Sequence, residues 1–129
     1  MCWPVSAQLR LRSGTARLVW PAGTATGAVV LLGDVTEPEC RSLADSFAAV
    51  VLNAPVREGA AALEWLADHA TELGADGGRL ILAGPAELAD EVHALAARVR
   101  ERGWPALALC HILPASPVEG AWNSTTRSP

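Results

Sequence analysis

Leu80-Ile81-Leu82-Ala83-Gly84-Pro85-Ala86-Glu87-Leu88 decides the reading of this chain, because an apolar run stops at a glycine and a proline and a helical pattern follows at once. An apolar run of this length reads as a strand covered on both faces. Ala83, Gly84 and Ala86 are small, which lets a strand and the helix after it approach closely at the bend. Pro85 suits the first turn of a helix, where its missing N–H is not needed. Leu88, Val92, Leu95 and Val99 then recur at helical spacing and stop at Gly103.

The same alternation extends in both directions. Before the junction, Glu58 to Leu73 places Ala62, Leu63, Leu66, Ala70 and Leu73 on one helical face, and Gly74 supplies a stop. Ala48 to Leu52 and Gly27 to Gly33 are two more continuous apolar strands. Between them, Thr36-Glu37-Pro38-Glu39 has the form of an N-cap with its capping-box glutamate, and predicts a short helix to about Ser46. Two short strands, Ala7 to Leu11 and Ala16 to Trp20, flank Arg12-Ser13-Gly14-Thr15 and read as a hairpin. After the junction the final strand is Ala106 to Leu113. A hairpin followed by β-α-β-α-β-α-β predicts a three-layer α/β/α sandwich, with a mainly parallel sheet and an N-terminal antiparallel hairpin. One domain spans 1–113, and the Pro-, Ser- and Thr-rich 114–129 reads as a loose tail or an arm over the body.

Composition narrows the function. The chain has 129 residues, 50% of them hydrophobic, and a formal charge of −4, with all of its 10 basic residues arginine. No basic surface of the kind that holds nucleic acid is expected. Nothing approaches the roughly 18–20 apolar residues of a membrane helix, and Met1-Cys2-Trp3-Pro4 is no leader, so a cytoplasmic location is expected. Cys2, Cys40 and Cys110 are widely spaced and read as reduced thiols. No P-loop, no G-x-G-x-x-G and no clustered His or Cys ligands occur, so neither a metal nor another cofactor is expected.

Several phrases of the chain resemble the α/β-hydrolase superfamily, in particular its hormone-sensitive-lipase-like esterase branch. Arg17-Leu18-Val19-Trp20-Pro21-Ala22-Gly23 is similar to the strand before that family's central strand, and Val29 to Gly33 to the central strand itself. The stretch Ala61 to Gly74 resembles the helix before the nucleophile strand, and Arg79 to Gly84 continues the register. The resemblance implies a nucleophile elbow, G-x-S-x-G, at the junction. Here Ala86 takes the place of the serine and Leu88 that of the second small residue, while Leu32-Gly33-Asp34-Val35 stands where a His-Gly-Gly type oxyanion loop belongs. With no later strands after Leu113 to bring a triad acid and histidine, the expectation is a truncated, degenerate hydrolase without Ser-His-Asp chemistry.

In an open α/β sheet, ligands bind beyond the carboxyl ends of the strands where the order reverses. That crevice would lie beyond Gly33 and Gly84, with Asn53 and Ala86 beside it and Asp34 facing Glu87 as an acid–base pair. The plainer reading makes Asp34 a turn residue and Glu87 a helix-dipole partner. Cys110 is a third candidate, as an acyl acceptor, although His111 next to it on a strand points to the opposite face. His69 and His93 read as solvated helix residues. Five Trp and an apolar last strand suggest an interface, filled by a second copy or by the tail. The expected function is a non-hydrolytic binding or accessory protein for an acyl-type small molecule or a partner enzyme. The alternative is a cofactor-independent acyl or group transferase, cyclase or lyase of bacterial specialised metabolism. Leu88 or the tail filling the crevice would argue against the enzyme.

Overall fold

Every residue of the strand Gly27–Leu32 is buried, and the reason is that helices cover both of its faces. The computed structural model describes residues 6–11, 14–75 and 79–113. In chain order the elements are β1 (Ser6–Leu11), β2 (Gly14–Val19), β3 (Gly27–Leu32), α1 (Glu37–Phe47), β4 (Ala49–Ala54), α2 (Gly59–His69), β5 (Leu80–Pro85), α3 (Ala89–Arg102) and β6 (Leu109–Leu113). They form one sheet of order β1-β2-β4-β3-β5-β6. β1 and β2 make an antiparallel hairpin, β2 joins β4 antiparallel, and β4, β3, β5 and β6 run parallel. This is the mixed, layered α/β arrangement expected from the sequence.

Side chains of a strand alternate between faces, and the core divides accordingly. Ala28, Val30 and Leu32 share one cluster with Leu63 and Leu66 of α2 and with Val92, Leu95 and Val99 of α3. Val29 and Leu31 belong to the other, with Cys40, Leu43 and Ala44 of α1. The chain leaves β3 through α1 towards β4, whereas it leaves β5 through α3 towards β6, so the connections diverge between β3 and β5. That divergence puts a crevice beyond the carboxyl ends of those two strands.

Local chemistry explains most element ends. Thr36 caps α1 reciprocally with Glu39, and Pro38 occupies the first turn. α1 runs to Phe47, a residue past the expected end, and Ala48 takes a left-handed conformation (φ 51°) as its C-cap, so β4 starts at Ala49. β4 continues through Asn53 and Ala54 because both keep pairing with β3. The helix expected over Glu58 to Leu73 is divided: a 3-10 turn (Val56–Glu58), then α2, then a second 3-10 turn (Thr71–Leu73) closed by Gly74 at φ 84°. Glu58 is buried at the N-cap of α2, where the helix field favours a carboxylate. β6 begins at Leu109, three residues after the expected start. Arg12-Ser13 of the hairpin turn, Asp76-Gly77-Gly78, the tail from Pro114, Cys2, Trp3 and Trp122 lie outside the described residues.

Candidate functional site

At the end of β3, beside β5, the protein's own Leu88 side chain packs against Gly33. Gly33 follows β3 at φ +106°, and a Cβ added there would stand 2.7 Å from Leu88 Cδ1 and 3.6 Å from Pro85. Leu88 therefore lies directly on Gly33. It gets there because Pro85 does not open the helix, as the sequence suggested. Pro85 ends β5, still in register with Leu113 of β6, and a 3-10 turn (Ala86–Leu88) intervenes before α3. An end position in the strand suits a residue without an N–H. Gly84 is buried against α3, and a Cβ on it would meet Val92 Cγ2 at 2.5 Å, so the glycine permits the close strand–helix approach. Ala86 and Glu87 are exposed. Among the described non-glycine residues only Ala48 has a positive φ, so the junction carries no left-handed residue at Ala86.

A polar cavity of about 360 Å³ opens between the hairpin, the end of β4 and the start of α1. It arises from strand register. Gln8 pairs with Arg17 and Arg17 with Asn53, so the three stand in a row across β1, β2 and β4. Thr15, Asp34, Thr36 and Glu37 complete the polar lining. A smaller neighbouring cavity of about 260 Å³ shares Asp34 and Asn53 and adds Gly33 and Pro55. Asn53 shapes both: its Nδ2 donates to the carbonyl oxygens of Leu31 (2.9 Å) and Gly33 (3.0 Å), fastening the end of β3. Glu37 Oε2 accepts from Arg41 Nη2 at 2.8 Å and from Ser6 Oγ at 3.3 Å. The Arg17 guanidinium and the Asp34 carboxylate have no hydrogen-bond or ion-pair partner among the described residues, and they do not pair with each other.

A second reactive grouping lies at the sheet edge. His111 turns to the α1 side and meets Phe47 edge-on, with ring centroids 5.3 Å apart. Cys110 turns to the other side, where its Sγ is 3.9 Å from Nδ1 of His93 on α3. The sequence excluded a pairing of Cys110 with His111 and missed this one, since it depends on how α3 lies over β6. His93 is exposed, whereas His69 is half-buried and stacks on Trp65 at 4.2 Å, a contact the solvated reading did not include.

The two described thiols should differ sharply in reactivity. Burial pushes the Cys40 thiol from 9.0 up to about 11, with Arg17 opposing and Glu39 and Glu37 assisting. The folded chain should therefore react with iodoacetamide at Cys110 at least about tenfold faster than at Cys40, read by peptide mass spectrometry. Equal labelling would contradict the burial. Because the folded value is raised, Cys40 contributes stability that is fully present below pH 9.0 and is lost as pH rises towards about 11.

No family model and no curated protein matches this chain. Solved structures do. The Pyrobaculum calidifontis esterase matches at 26% identity with a TM-score of 0.69, over 90% of this chain and 47% of its own. EstE1, a thermostable carboxylesterase cloned from a metagenomic library, matches at 24% identity with a TM-score of 0.70, over 88% of this chain and 49% of its own. The fold is that of the α/β-hydrolase-like esterases. This chain spans about half the length of these esterases. Within the α/β-hydrolase-like frame, Gly33, Asp34 and Asn53 come together around the polar cavities, while Gly84, Ala86, Glu87 and Cys110 line neither. Glu87 therefore does not line either of the two cavities that Asp34 lines. Arg17, Gln8 and Thr15 were missed, because their place depends on the pairing of β2 with β4. Among the described residues no group of three His, Cys, Asp or Glu side chains gathers to hold a metal, and no helix is long and apolar enough to cross a membrane.

Proposed function

We propose that this chain is a non-hydrolytic binding or accessory protein built on an α/β-hydrolase-like frame. The observation that carries the reading is Leu88 lying on Gly33, which fills the place between β3 and β5 where a substrate carbonyl would have to enter. Two further features support it. Ala86 has no attacking atom, and it sits in a 3-10 turn and not in a left-handed elbow. A cavity does open beside Asp34 and Asn53, and its polar lining favours a small polar ligand over the acyl chain expected from the sequence.

Ester hydrolysis tests this directly. With p-nitrophenyl acetate and butyrate, the wild-type chain and Ala86→Ser should both run at the uncatalysed rate. A saturable turnover in the wild type would overturn the reading. Acyl or group transfer at Cys110 is the second reading, favoured by the 3.9 Å approach of His93. It requires an acyl-thioester donor to leave its acyl group on Cys110, and loss of that adduct in Cys110→Ala. The partner would dock at β6, the edge of the described sheet, where Leu109 and nearby Trp104 are 44% and 46% exposed. A second copy of the chain joined there is the proposed dimer.

A further inference from the structure

We infer that the cavity between the hairpin and the start of α1 is a binding site for a free α-amino acid. The inference rests on the binding reading above and adds the class of ligand. Arg17 carries the argument. Its guanidinium offers five N–H donors in a planar fork, it is half-buried, and none of the described residues accepts from it. A half-buried guanidinium on a cavity wall, with no acceptor among the described residues, is suited to a carboxylate, which can meet the fork with two parallel hydrogen bonds.

The remaining charges select within the carboxylates. Asp34 lines the same cavity with an acceptor-only group that has no partner among the described residues, and so takes an ammonium or a hydroxyl. Glu37 is already engaged by Arg41 and Ser6. A phosphate would bring its extra negative charge towards Asp34 and Glu37, and a simple amine would leave Arg17 unmet. A zwitterion offers a counter-charge to each of the two at once. The volume agrees: 360 Å³ is at the small end of ligand cavities, which run from about 300 to 1,000 Å³. Gln8 and Thr15 add uncommitted amide and hydroxyl groups for a short polar side chain.

The experiment is a titration of the ¹⁵N-labelled chain with the proteinogenic amino acids, each beside its methyl ester, which masks the carboxylate, and its des-amino acid, which lacks the ammonium. At least one amino acid should shift the amide resonances of Gln8, Thr15 and Asn53, and both analogues should bind at least about tenfold more weakly. Arg17→Gln should erase the preference for acid over ester. Asp34→Asn, on an exposed loop and independent of the strands, should erase the preference for amino acid over des-amino acid. No shift at the cavity from any amino acid, or a methyl ester that binds as well as its acid, overturns the inference. Ester turnover by the wild type would overturn the binding reading separately, so the two failures are distinguishable.

Discussion

Gly33→Ala should destabilise the chain by about 2–4 kcal/mol in urea unfolding, a sum of two separable costs. The first is the backbone: at φ +106° an L side chain is strained, by about 1–3 kcal/mol. The second is the clash of the new methyl with Leu88 Cδ1, 2.7 Å away, worth about 1 kcal/mol more, the low end for overpacking, because the tip of a leucine side chain can turn aside. Leu88→Ala divides the two. In the double variant the clash disappears and the backbone cost remains, giving a coupling of roughly 1 kcal/mol. Additive behaviour would mean that Leu88 does not rest on Gly33, and the proposed loss of hydrolysis would lose its main support.

Leu32→Ala should be about as damaging, by roughly 2–5 kcal/mol, and should lower Tm by about 10 °C or more. Leu32 is fully buried at the carboxyl end of β3, and its side chain reaches towards Gly59 at the start of α2 and towards Gly84 on β5. Its removal leaves a hole where three elements meet, and two of them have glycines that cannot lean in to fill it. Exposed Arg98→Ala, on the outer face of α3, should change stability by no more than about 0.5 kcal/mol. A similar loss in both variants would show that Leu32 is not in the core.

The layers were legible because they rest on local signals. β3 reads as a buried strand from its unbroken apolar run, and α1 from the reciprocal cap of Thr36 and Glu39. The crowding role of Leu88 was visible too, as a large side chain where a tight bend wants a small one. Pro85 misled, because a proline serves a helix start and a strand end equally well, and pairing with β6 decided between them. The polar cavity left no local trace. Arg17 and Asn53 meet only through the register of two strands with β3 and α1 between them in the chain. Cys110 and His93 likewise meet only after α3 has folded back over β6.

The pairing of β2 with β4 also sets a schedule for a chain made from its amino end. The hairpin can close on itself early, since β1 and β2 are adjacent and antiparallel. Its inner edge, however, has to wait for Arg17, Leu18 and Val19 to meet Asn53, Leu52 and Val51. Until those residues have left the ribosome, Leu18 and Val19 have no sheet to join, and an unpaired strand edge of this kind is open to the wrong neighbour. The hairpin is thus synthesised before the strand that secures it, and the cavity it borders comes into being at the moment it docks.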